Sequence, residues 1–409
     1  MNTVYSSDDD EEAQYEPLYI IQQYLSDNGL VDTLATLQSE SGQKYRPSSS
    51  ALGGILETMI FDHRQKILSK QLEATESTKE DVDEALLERG DKTFAKEKVR
   101  EWSPHTSNIL SVSFSKEIGS TMLASGSTDK TFRLSDYSTG EVVHEFSGVH
   151  NAAVISIDYN PVPSLGHLLL TGTMDGSHCV VDTRNKSVVQ YFRDHKKYVV
   201  VTKWHPSGLL FATGSHDHTV NLYRLKDQSL TSQEPFELIE KIPFNLNVET
   251  IAFTPDGARM YVGIRDSNYL QIFDLNNGNV KTKFNMNAAG DDHVSFSAVH
   301  MMFSPTDPQY LLVATDRSRS ILYREGESVP VRNFWGANND LYSNPRCAWH
   351  HSGRYVYTDH DVHCWEVSNQ TAVSRMKGHT SIVRDLTHHG TENLLATCSF
   401  DKTVKLWSA

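Results

Sequence analysis

Residues 378–409 read GHTSIVRDLTHHGTENLLATCSFDKTVKLWSA. Short apolar runs alternate with polar turn residues, and after Asp401 the stretch Thr403–Leu406 alternates polar and apolar. Such runs, bounded by Gly, Asn and Asp, are β-strands rather than helices. The pattern recurs upstream as DHKKYVVVTKWHPSGLLFATGSHDHTVNLYRL at 194–225 and as LASGSTDKTFRLSD at 123–136.

One Asp marks each unit: Asp129, Asp175, Asp217, Asp266, Asp316, Asp359 and Asp401. Successive spacings of 46, 42, 49, 50, 43 and 42 residues match a four-stranded propeller blade. A helical solenoid is excluded because runs such as LLFATGS and TVKLW are too short and too β-branched. The reading is a mainly β protein, a seven-bladed β-propeller over residues 94–409 with a small α-helical module before it. The last unit ends after its third strand, so residues 94–102 (FAKEKVREW) are expected to supply the missing outer strand and close the ring.

These units resemble the WD-repeat family. The resemblance implies a hydrogen-bonded tetrad of His, Ser or Thr, Asp and Trp in each complete blade. Here it maps onto His379, Thr397, Asp401 and Trp407, and onto His195, Thr213 and Asp217, with Tyr223 in place of Trp. It also maps onto His105, Ser125 and Asp129, with Ser135 at the Trp position. The second unit offers His150, Thr171 and Asp175, then Val181. Units four to six keep mainly the Asp, so packing must hold them. These His–Asp pairs read as structural, since an Asp in a tight turn accepts backbone N–H groups and orients the ring. Trp204 and Trp349 fall at core positions.

The resemblance further implies a narrow binding face built from the loops before the first strand and between the second and third. Its offsets select Ile382, Arg384 and Phe400, Asn108, Leu110 and Thr128, Ala153, Ile155 and Met174, and Tyr198, Val200 and His216. Apolar and aromatic side chains beside an Arg suit a protein partner. Arg317 and Arg319 read as solvated rim charges.

Ahead of the repeats, residues 1–15 form an acidic tail and residues 16–46 read as two short helices. Leu18, Ile21, Tyr24 and Leu25 follow a helical period, Gly29 suits a left-handed cap, and Leu30, Leu34 and Leu37 share the second face. Helices this short need a partner for their apolar faces. The stretch resembles the lissencephaly-type homology motif, LisH, carried by Ile21, Tyr24, Leu25, Gly29, Thr33, Leu34, Leu37 and Glu40. That implies a homodimer. Residues 47–93 read as a linker with one amphipathic helix at 51–70.

Of the net charge of −14, residues 1–93 hold 19 acids and 8 bases and carry most of the excess. The rest is nearly balanced, which disfavours a nucleic-acid backbone as partner. No apolar run is long enough for a membrane span, and no signal-peptide pattern is expected. Cys179, Cys347, Cys364 and Cys398 form no CxxC pair and read as reduced thiols of a cytoplasmic or nuclear protein. HExxH, GxSxG and phosphate-loop motifs are missing. The His216-Asp217-His218 and His360-Asp361-Val362-His363 clusters are explained by turns rather than by a metal. The expectation is a non-enzymatic scaffold without cofactor or metal that dimerises and binds other proteins. The alternative is a substrate receptor of a cullin-type ubiquitin ligase, resting on Val181-Asp182-Thr183-Arg184.

Overall fold

The computed structural model describes residues 17–27, 29–44, 92–226, 230, 232–277, 280–288, 296–317, 319–335, 344–358 and 362–409. The acidic tail, the expected helix at 51–70, Asp359, His360 and Asp361 lie outside them. The chain divides into two compact units, Met1–Glu84 and Ala85–Ala409.

In the first unit, helix α1 (Pro17–Asp27) starts with Pro at a position whose N–H has no helical partner. Gly29, at φ 68°, closes it and donates to the Ser26 carbonyl. Helix α2 (Val31–Ser41) ends on left-handed Gly42, whose N–H reaches the Gln38 carbonyl. Leu25 is buried and Tyr24, Leu34 and Leu37 are half-buried, whereas Ile21 remains 42% exposed and Val31 70% exposed.

The second unit contains seven four-stranded antiparallel sheets. Blade 1 comprises Ile109–Phe114, Met122–Ser127, Phe132–Asp136 and Glu141–Phe146, and blades 2 to 6 repeat this order. Inner strands such as Ile109–Phe114 are buried at every position because both faces meet neighbouring blades, while outer strands such as Glu141–Phe146 are mostly exposed. Each interface is a separate apolar cluster shared by two blades. Phe211, Tyr223, Trp204 and Phe236, for example, pack with Leu168, Leu170 and Val180 of the preceding blade.

Blade 7 takes three strands from the C-terminal segment and its outer strand, β1 (Glu97–Trp102), from before blade 1. β1 runs antiparallel to β28 (Val404–Ser408), from Glu97 opposite Ser408 to Trp102 opposite Val404. The join is reinforced beyond the ladder. Lys96 N–H donates to the Ser408 carbonyl at 2.7 Å, Lys405 Nζ meets Glu101 at 2.8 Å, and Ala95 N–H donates to the Tyr357 hydroxyl of blade 6 at 3.0 Å. Lys405 is buried, and its hydrogen bond is the main reason that the Glu101 carboxyl sits below its usual range.

Six of the described inner strands carry a β-bulge at their second residue, between Ile109 and Ser111, Val154 and Ser156, Val199 and Val201, Val248 and Thr250, Ala298 and His300, and Val383 and Asp385. A bulge leaves one residue unpaired and re-aims its side chain. The bulged residues are Leu110, Ile155, Val200, Glu249, Val299 and Arg384.

If the β1–β28 ladder closes the ring, a chain beginning at residue 103 will lose cooperative unfolding, while one beginning at residue 92 will retain it. Calorimetry of the two truncations checks this; equal transitions would show that closure contributes nothing.

Candidate interaction face

Start-of-strand loops and the turns between second and third strands share one end of the propeller. Thr128, Met174, His216 and Phe400 each donate a backbone N–H to the segment just before, or at the start of, the inner strand, at 3.0 Å in every case. The Asp networks sit here and fix this end.

In blade 7 the network is complete. His379 Nδ1 lies 2.8 Å from Asp401, His379 Nε2 lies 2.8 Å from Thr397 Oγ1, and Trp407 Nε1–H donates to the same hydroxyl at 2.9 Å. A carboxylate only accepts, so the imidazole carries its proton on Nδ1. The Thr397 hydroxyl then donates to Nε2 while accepting from Trp407, which orders the whole chain of bonds. Asp401 also accepts the backbone N–H groups of Thr380 and Thr403 and the Thr403 hydroxyl.

Blade 3 repeats this with His195, Thr213 and Asp217, but the Tyr223 hydroxyl reaches Asp194 at 2.8 Å. Blade 1 repeats it with His105, Ser125 and Asp129, and buried Ser135 Oγ has no partner. In blade 2, His150 meets Thr171 at 2.8 Å, and Ser177 stands between the ring and Asp175. The fifth members, Thr131, Thr219 and Thr403, each donate to the Asp at 2.6 to 2.7 Å. They were missed in the sequence, although the repeated D-K-T and D-H-T strings carried the signal. In blades 4 and 5 the marker Asp works differently: Asp266 N–H donates to Ser297 Oγ, and Asp316 accepts the Ser297 N–H.

Desolvation depresses the imidazoles: His379 and His105 titrate below the usual histidine value, and His150 falls to about 4. Desolvation alone would raise Asp401, but hydrogen bonds from Thr403 and His379 outweigh it and hold the carboxyl at about 2.

The expected partner-binding residues separate into four groups. Leu110 and Ile155 are only 8% exposed and, with Ala153, form a small apolar cluster against which Val200 and Phe400 pack. The bulges turn Leu110, Ile155 and Val200 toward one another, so these three form a floor rather than projecting side chains. Phe400, which packs on this cluster, is half-buried, as are Ile382, Asn108 and Thr128. Met174 at 38% and Tyr198 at 45% exposure are the large side chains that project.

Charged side chains form a separate sector. His216 Nε2 lies 3.3 Å from the buried carboxylate of Glu249, which pairs with Arg265 at 3.0 Å. Tyr198 lies against the His216 ring, 5.8 Å between centroids. Arg384 donates to the Asn344 carbonyl at 3.3 Å. Asp217 turns to His195 while His216 turns to Glu249, so this triplet does not converge on an ion. The reading of Arg319 as a solvated charge is also corrected. Its guanidinium lies 4.7 Å from the Phe296 ring and 5.0 Å from Trp335, a cation–π contact. Arg184 forms an ion pair with Glu117 at 2.6 Å.

With this geometry in hand, the class is a WD-repeat β-propeller. The family described as "WD domain, G-beta repeat" matches residues 96–136 and 370–408, and "Anaphase-promoting complex subunit 4 WD40 domain" matches 202–304. Among individual relatives, the chain is similar to the guanine nucleotide-binding protein subunit beta of Arabidopsis thaliana. It is 30% identical over 164 residues, 39% of this chain and 42% of that protein. The rice (Oryza sativa subsp. indica) counterpart is 29% identical over 151 residues, 35% of this chain and 38% of that protein. The chain thus spans about two fifths of the length of these β subunits. It is also similar to nuclear distribution protein PAC1 of Arthroderma otae, 22% identical over 382 residues, covering 85% of this chain and 81% of that protein.

Replacing Thr397 with Val should leave both the Trp407 indole N–H and His379 Nε2 unpaired and cost roughly 2–4 kcal/mol. Urea unfolding measures it; a loss under about 0.5 kcal/mol would mean that the tetrad is slack.

The buried imidazoles also set an acid limit. Unfolded histidines bind protons below about pH 6.5, whereas folded His150 does so near 4 and His388 near 3. The unfolded state therefore binds more protons as pH falls through this window, and stability declines. The Asp401 contribution persists until pH drops below the unfolded carboxylate value and is lost on approach to about 2. Urea midpoints should fall steadily between about pH 7 and pH 4; a flat profile would contradict the neutral histidines.

Proposed function

We propose that the chain is a non-catalytic scaffold that binds protein partners on the tetrad end of the propeller and pairs with a second copy through its N-terminal helices. The observation that carries the first part is the exposed pair Met174 and Tyr198, standing beside the Leu110–Ala153–Ile155 floor and the His216–Glu249–Arg265 group. An apolar patch with aromatic and charged neighbours suits a protein contact. Similarity to other WD-repeat proteins supports the same reading.

Dimerisation through a LisH-type motif is supported by Ile21, Leu30 and Val31, apolar side chains that the two helices leave exposed. Pairing would bring two propellers together and raise avidity. We place the protein in the cytoplasm or nucleus, a reading supported by four free, buried cysteines. Among the described residues, no helix is long and apolar enough to cross a membrane. The ligase-receptor alternative draws no support from Arg184, whose guanidinium is engaged by Glu117.

One experiment series tests both parts. Affinity purification with mass spectrometry should lose partners in a folded Met174→Glu/Tyr198→Glu variant, and light scattering should show half the solution mass after removal of residues 1–46. Retention of every partner defeats the first part, and an unchanged mass defeats the second.

A further inference from the structure

At the opposite end of the propeller, the inner strands of blades 6 and 7 bring three histidines together. Cys347–Trp349 runs directly into His350 and His351, and Val383–His388 ends on His388. One ring nitrogen from each lies within 4.8 Å of the others. The His350 ring centroid is 4.2 Å from that of His351 and 4.5 Å from that of His388. His350 and His388 are buried and His351 is half-buried.

Buried imidazole nitrogens normally have hydrogen-bond partners. Here Nδ1 of His351 and Nε2 of His388 are buried with none. The His388 tautomer follows from its other nitrogen: Nδ1 lies 2.7 Å from the His389 carbonyl, which can only accept. Nδ1 therefore carries the proton, and Nε2 holds a bare lone pair turned inward. A backbone carbonyl orienting a ring in this way is the usual outer support of a metal-ligating histidine. His350 is oriented too: its Nδ1 accepts the Ser352 N–H at 3.1 Å and stands 2.7 Å from the Ser352 hydroxyl, and its Nε2–H donates to Asn393 Oδ1 at 3.2 Å.

We propose that His350, His351 and His388 form a binding site for a divalent transition metal of the zinc class, joining blade 6 to blade 7. Three imidazoles without carboxylates suit zinc or cobalt rather than magnesium or calcium. Tetrahedral coordination at about 2.0–2.1 Å requires ligand nitrogens about 3.4 Å apart, so the rings must close in modestly. Ligation through His350 Nε2 displaces Asn393 and moves the ring proton to Nδ1, which donates it to the Ser352 hydroxyl. The location fits a structural pin: the inner strand of blade 6 has only three residues, and Tyr357, stacked on His388 at 5.7 Å, also accepts the Ala95 N–H of the closing segment.

The test is Co2+ titration of the full, tag-free chain, followed by absorption and by Zn2+ competition. Wild type should bind one Co2+ with a tetrahedral spectrum, lose it to Zn2+, and unfold at a higher temperature with Zn2+ present. His351→Ala, at a half-buried position, should weaken binding at least about 10-fold and abolish the thermal shift. His388→Asn should do the same. His218→Ala, at the tetrad end, should change neither. No tetrahedral spectrum in wild type, or undiminished binding in His351→Ala, overturns the site; the His351 variant alone suffices if the His388 variant does not fold.

Discussion

The ring depends on one pairing that the chain does not make with its near neighbours, that of Glu97–Trp102 with Val404–Ser408. Blades 1 to 6 are each a run of consecutive antiparallel strands, formed from local contacts. Each blade nevertheless buries its faces only against the next, so every interface is stable only while the circle is complete. At the one seam where the chain does not continue, the ladder, the buried Lys405 facing Glu101, and the bond from Ala95 to Tyr357 replace covalent continuity.

Around that ring the means of cohesion change. Blades 7, 1 and 3 hold a His, an Asp and a hydroxyl in one bonded chain, which demands full satisfaction and fixes their loops. Blades 4 to 6 rely on large apolar interfaces such as Tyr261, Phe284, Met286, Phe296 and Tyr323. The candidate interaction face lies over blades 7, 1, 2 and 3, the sector containing the His-centred networks. Rigid loops there present Met174 and Tyr198 with little ordering cost on binding.

The blade count and the seam could be read from the sequence because they rest on spacing: an Asp every 42 to 50 residues, and a strand-like FAKEKVREW placed before the first unit. The tetrad in blades 7, 1 and 3 followed from residue type at fixed offsets. What spacing could not show was the bulge. A single unpaired residue leaves no mark in alternation, yet it decides that Leu110, Ile155 and Val200 turn inward rather than outward. Pairings between distant elements were equally hidden, such as Arg319 between Phe296 and Trp335, or His388 beside the His350–His351 pair. Nothing in local sequence announces which blade edge will face which.

The antiparallel sense of the seam has a mechanical consequence. Glu97 and Ser408 sit opposite each other at one end of the ladder, so the chain enters and leaves β1 and β28 side by side. A load drawing these two ends apart would act on one rung at a time and peel the seam like a zipper. A parallel arrangement would have shared the force across all rungs in shear. A pull between the two ends of the propeller thus meets the ring at its weakest geometry.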